Sequence, residues 1–150
     1  MTPTRNDGFS LSYPVNWRIY QDRTGMTIAP PAGVSQGAVA YGAVIKPANP
    51  NSASVDQAAQ DVISSLEQSN SGLHASGHPQ RVNGLEGVPW TYWESRPSKM
   101  EGRPTPEHDW LVVLPRPRGG MLYAVFISPE RNFSELRSTY ENMLRSLRLR

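Results

Sequence analysis

Three histidines and a scatter of carboxylates are the groups in this 150-residue chain that could carry reaction chemistry, and their spacing argues against most of it. His74-Ala-Ser-Gly-His78 has the i, i+4 interval of a metal-binding helix. It lacks the Glu of a His-Glu-x-x-His site, however, and sits in no helical pattern. On a strand the two positions share a face about 13 Å apart at ~3.3 Å per residue, too far for one ion unless the chain bends at Gly77. His108, beside Asp109, is the third group such a site would need. Solvated strand histidines are the simpler reading, so no metal ligand is assigned. Ser76 lies between His74 and His78 without a Gly-x-Ser-x-Gly elbow or a third, orienting group. Glu94 with Glu101, and Glu107 with Asp109, are the available carboxylate pairs. The second pair falls at a strand start beside a charged loop, where solvated ends are the rule. Gly119-Gly120 follows Pro117-Arg118 with no Lys-Ser/Thr after it, which excludes a phosphate loop. The chain has no cysteine, so thiolate zinc sites, disulfides and cysteine nucleophiles are absent. No catalytic residue and no cofactor is assigned to this chain.

The aromatic and arginine residues suggest binding. Trp90 and Tyr92 share one strand face, Trp93 takes the other, and Trp110 and Tyr123 belong to the following strands. Arg96, Arg103, Arg116 and Arg118 lie in the two loops that flank those strands. Trp, Tyr and Arg are the residues enriched at interface hot spots. The competing reading is core packing for the rings and solvated loops for the arginines. The expected binding set is Trp90, Trp93, Arg96, Arg103, Trp110, Arg116, Arg118 and Tyr123, with a protein or an adjoining catalytic domain as partner.

These residues need a sheet to hold them. Phe9–Tyr13 alternates apolar and polar, the pattern of a half-buried strand, and Trp17–Gln21, Met26–Ala29 and Ala38–Ile45 follow, with Gly42 as a candidate bulge. Ser54 opens a helix with a capping box to Gln57. Val55, Ala58, Ala59, Val62, Ile63 and Leu66 form its apolar stripe, and Asn70-Ser-Gly72 stops it. His74–Val82 is a weak strand, Asn83-Gly84 a turn and Gly87–Glu94 a strand. Arg96–Pro106 is the longest loop. Asp109–Leu114 and Met121–Ile127 form a hairpin of nearly continuous apolar strands, which must be covered on both faces. Asn132 with Glu135 repeats the capping box ahead of a helix striped by Phe133, Leu136, Tyr140, Met143, Leu144 and Leu147. About eight strands and two helices predict an α+β fold, a mostly antiparallel sheet with one helix on each face, in a single domain over 1–150. Residues 1–7 are expected to be a disordered lead or linker remnant.

Composition narrows the partners. Fifteen Lys+Arg against 13 Asp+Glu leave a net charge of +2, and the basic residues are spread along the chain, which argues against a nucleic-acid surface. No run approaches the ~18 apolar residues of a membrane span, and the opening residues lack the apolar stretch of a signal peptide.

The order of these features resembles the PsbP-like domains. Phe9-Ser-Leu-Ser-Tyr-Pro-Val-Asn-Trp17 is similar to their strand, Tyr-Pro, x-x-Trp opening. The Ala- and Gln-rich helix, Val82-Asn-Gly84, Tyr123 in a late strand and the closing Leu-Arg-Ser-Leu at Leu144–Leu147 follow in the same order, so that residues 8–149 are covered. That fold is shared by a photosystem II extrinsic protein, a Ran-binding nuclear import factor and bacterial envelope proteins. The resemblance implies an α/β/α sandwich and an extracytoplasmic setting. More narrowly, Met26-Thr-Ile-Ala-Pro-Pro-Ala-Gly, Ala40-Tyr-Gly-Ala and Asp109-Trp-Leu-Val look like the module that follows the peptidase domain in some bacterial HtpX/BepA-type zinc metalloproteases. This implies a non-catalytic accessory domain, with any zinc held in a peptidase domain upstream.

Overall fold

The computed structural model describes residues 2–5, 9–21, 23, 25–35, 38, 39, 41–48, 51, 54–69, 74–76, 90–98, 105–116 and 120–149. Its strands are β1 (Thr2–Arg5), β2 (Phe9–Tyr13), β3 (Arg18–Gln21), β4 (Met26–Ala29), β5 (Val34–Ser35), β6 (Ala38–Val39), β7 (Gly42–Pro47), β8 (His74–Ser76), β9 (Trp90–Ser98), β10 (Thr105–Pro115), β11 (Met121–Pro129) and β12 (Arg148–Leu149). The helices are α1 (Val55–Ser69) and α2 (Phe133–Ser146). Seven strands form the main sheet in the order β3-β4-β7-β11-β10-β9-β8. The strands β1-β2-β12 form a second sheet and β5-β6 a short ribbon, and every described pairing is antiparallel.

The apolar run of β10 splits between two cores because side chains alternate across a sheet. Trp110, Val112 and Leu114 join β2 and the α2 residues Tyr140, Met143 and Leu144 on one face. Leu111 and Val113 join Ala58, Ala59, Val62 and Ile63 of α1 on the other. Strand β11 divides the same way, with Leu122, Ala124 and Phe126 against Val125 and Ile127. This is the α+β sandwich expected from the sequence, with one helix per face.

The two helices begin differently. The Ser54 Oγ accepts a hydrogen bond from the Gln57 N–H at 3.1 Å, but the Gln57 side chain donates to Asp61 at 2.9 Å, so Ser54 caps α1 while Gln57 supports the next turn. Asn132 does not cap α2. It has helical dihedrals (φ −103°, ψ −1°), no side-chain capping bond, and ends a 3-10 turn over Glu130–Asn132 that winds into the helix. A cap residue needs extended dihedrals to aim its oxygen back at the helix, and the preceding turn removes them. At the far end of α2, the Ser146 Oγ accepts from the Ser12 N–H at 2.8 Å and donates to the Met143 carbonyl at 2.7 Å, which fastens the helix to β2.

Three further expectations change. Residues 2–5, expected as a disordered lead, pair with Ser10–Tyr13 as β1. The single strand at Ala38–Ile45 is two, because Gly42 has φ +147° and turns the chain into β7. Both ends of the supposed Arg96–Pro106 loop are ladder, with Arg96 opposite Glu107, Pro97 opposite Pro106 and Ser98 opposite Thr105. Proline is tolerated here because Pro97 lies beyond the β8 pairing, which ends at Ser95, and Pro106 ahead of the β11 pairing, which begins at Glu107, so no outer ladder needs the missing N–H. The turns expected at Asn70–Gly72 and Asn83-Gly84 lie outside the described residues. Among the described residues no helix is long and apolar enough to cross a membrane.

Candidate functional site

β10 has 11 residues and extends roughly 34 Å at about 3.4 Å per step, so its two ends cannot share one compact site. Arg96 pairs near its start, and Arg116 follows its end. Arg96 and Arg116, read from the sequence as parts of one surface, therefore stand at opposite ends of the sheet. Arg103 and Arg118 lie outside the described residues.

Register also sorts the aromatics. Trp93, Trp110, Phe126 and Ala43 occupy one row across β9, β10, β11 and β7. Trp110 is only 2% exposed, with its ring centroid 5.3 Å from that of Phe126, which is in turn 5.0 Å from Tyr140. Trp110 is thus a core residue beneath α2, closed to a partner. A second row holds Trp90, Val113, Tyr123 and Lys46. Tyr123 and Lys46 are half-buried, and Tyr123 packs on the α1-side core.

Arg116 follows the end of β10, three residues past Val113. Its backbone N–H bonds the Gly120 carbonyl at 3.0 Å, closing the β10–β11 hairpin, and Gly120 takes φ +77°. The Arg116 Nε is buried and finds no hydrogen-bond acceptor among the described residues. A buried, unsatisfied donor costs on the order of 1–3 kcal/mol, so an incoming carboxylate or carbonyl would gain from meeting it. Lys46 is absent from the sequence-derived set, because only the β7–β11 register places it opposite Tyr123.

Burial pushes the Tyr123 hydroxyl above its ordinary value. The folded state therefore holds its proton more tightly than the unfolded chain. The resulting stability is intact below about pH 10, the unfolded value, and is lost as pH rises through the folded value. Urea denaturation at pH 8 and pH 11 should show a smaller alkaline loss in Tyr123→Phe than in the parent. Equal losses would mean that Tyr123 ionises alike in both states.

Asp109 is 1% exposed, not a solvated strand end, because β10 begins at Thr105 and carries Asp109 well inside a central strand. Its register partners are Glu94 and Ile127, while Glu107 pairs with Arg96 and Pro129. Among the described side chains, no three His, Cys, Asp or Glu gather where they could hold a metal. A cleft of about 250 Å³ opens at the start of α2, lined by Tyr41, Pro129, Asn132, Glu135 and Leu136, with Glu135 as its one carboxylate. None of the residues expected from the sequence to bind a partner lines it.

No protein-family profile matches this sequence, and no curated protein is significantly similar to it. Solved structures do share its architecture. The cyanobacterial PsbP (CyanoP) of Synechocystis superposes with a TM-score of 0.63 at 11% identity, covering 99% of this chain and 92% of that one. LpqN of Mycobacterium tuberculosis, described as involved in cell envelope biogenesis, superposes with a TM-score of 0.54 at 16% identity, covering 99% and 89%. At these identities the likeness concerns the fold, which is PsbP-like.

Proposed function

We propose that this PsbP-like chain is a non-catalytic binding module of the cell envelope that docks an acidic segment of a protein partner at the β10–β11 hairpin end of its main sheet. The observation that carries the reading is the Arg116 Nε at that hairpin end, buried and without an acceptor among the described residues. An arginine held at the end of a rigid hairpin matches the make-up of a protein hot spot, and its cation selects a partner bearing carboxylates. The function needs no resident cofactor. The envelope setting is supported by the description of LpqN as an envelope-biogenesis protein. Attachment to a metalloprotease rests on the residue runs at 26–33, 40–43 and 109–112 alone, and the alternative is a stand-alone PsbP-like protein.

The opposite exposed face serves as a control. Arg137 and Arg145 both pair with Glu141, at 3.0 and 3.8 Å, so their charges are already partnered on a solvated helix. A photo-crosslinking amino acid at position 116 should give one discrete adduct with an envelope protein in cells, and one at position 137 none. Arg116→Ala should weaken binding of that adduct protein by on the order of 1–3 kcal/mol. An adduct formed only from position 137 would place the binding face on α2 and overturn the proposal.

A further inference from the structure

The cleft at the start of α2 takes no part in the hairpin site. Its five lining residues, Tyr41, Pro129, Asn132, Glu135 and Leu136, enclose about 250 Å³. Asn132, Glu135 and Leu136 are three and four positions apart, the spacing that puts side chains on one side of a helical turn. Pro129 is fully buried and Leu136 packs against the core beneath α2, so the apolar part of the lining is held in place. Tyr41 stands immediately ahead of β7, and its N–H donates to the Gly33 carbonyl at 3.3 Å. Charge in the cleft is one-sided. Helix α2 has two carboxylates, and Glu141 is engaged by both Arg137 and Arg145. Glu135 has no ion-pair partner among the described residues. Arg131, one turn earlier, donates its Nε to the Asn132 amide oxygen at 3.4 Å.

We infer that this cleft binds a small free organic cation, an ammonium or guanidinium group carried on a short apolar stem. The Glu135 carboxylate meets the charge. Tyr41 adds an aromatic ring, whose face attracts cations, and a hydroxyl that can accept from an N–H. Pro129 and Leu136 offer apolar surface to the stem, the division of labour by which long cationic groups bury their carbons and keep their heads polar. An anion would meet Glu135 with like charge. A neutral apolar molecule would desolvate the carboxylate without replacing its hydrogen bonds. Size sets the upper limit: the volume lies just under the roughly 300–1,000 Å³ of pockets that hold drug-sized ligands, so the ligand has only a few heavy atoms. The site shares no residue with the β10–β11 hairpin end, and it stands or falls independently of the partner proposed there.

The test is titration of the purified chain with butylammonium and, separately, with butan-1-ol, followed by proton–nitrogen NMR of the backbone amides. Butylammonium should shift the amides of Tyr41, Asn132, Glu135 and Leu136 along one saturating curve, and butan-1-ol at equal concentration should leave them in place. Glu135→Gln should weaken butylammonium binding at least tenfold, and Tyr41→Leu about threefold, while Glu141→Gln leaves it unchanged. The comparison of the two probes needs no variant, so a substitution that disturbs folding cannot decide the matter. Equal shifts with butan-1-ol, the absence of saturation, or a loss in Glu141→Gln as large as in Glu135→Gln would overturn the inference.

Discussion

Tyr140→Phe is expected to lower the stability of this domain by about 2–4 kcal/mol, although it removes a single oxygen. Tyr140 is fully buried in the core beneath α2. Its hydroxyl accepts a hydrogen bond from the Gly42 N–H at 3.0 Å and donates one to the Ile127 carbonyl. Gly42 and Ile127 face each other at the last register position between β7 and β11, so the tyrosine hydroxyl joins two paired strands where their ladder ends. Phenylalanine keeps the ring contacts with Trp17 and Phe126 but leaves a buried donor and a buried acceptor to lose these bonds, at on the order of 1–3 kcal/mol each. Tyr140→Ala adds a cavity and should cost a further ~3–5 kcal/mol, a large part of the ~5–15 kcal/mol that holds a typical domain together. Urea denaturation reads both effects as a lower midpoint at unchanged slope. A phenylalanine variant as stable as the parent would show that the hydroxyl bridge contributes nothing.

Gly42→Ala should be nearly as damaging, and Gly120→Ala much less so. Both glycines have positive φ, +147° and +77°. The backbone cost of placing alanine there is of order 1–3 kcal/mol at either position. Their surroundings differ. A Cβ on Gly42 would lie 2.7 Å from the Ala29 Cβ and 2.8 Å from the Ile28 carbonyl oxygen, whereas a Cβ on Gly120 would meet nothing within 4 Å. The overpacking at Gly42 adds about 1–3 kcal/mol, because strand β4 cannot retreat without opening its own pairing with β7. Thermal unfolding of the two variants separates the terms. A Gly42→Ala melting point no lower than that of Gly120→Ala would refute the close approach.

Much of the scaffold was legible from periodicity. The Val55–Leu66 and Phe133–Leu147 stripes give both helices, and the continuous apolar runs in β10 and β11 give two central strands that need cover on each face. These are local patterns, and burial of an apolar stripe is decided by the residues of the stripe itself. The Asn132 cap was not legible, since Asn–x–x–Glu spacing is the same whether the chain arrives extended or through a 3-10 turn. Nor was the end of β9 legible: Arg96-Pro97-Ser98 has turn chemistry but is kept in the ladder by its partners in β10.

The candidate site was less legible than the fold, for a related reason. Sequence alone identified Trp90, Trp93, Trp110, Tyr123 and the four arginines as residue types suited to binding. It also showed that no local catalytic motif is present. Only the tertiary structure placed Arg96 and Arg116 at opposite ends of β10, buried Trp110, set Lys46 across from Tyr123, and gathered Tyr41 and Glu135 around one cleft. Which face a residue takes is written in strand alternation, but which residue stands beside it is set by register, a non-local property fixed when whole strands pair.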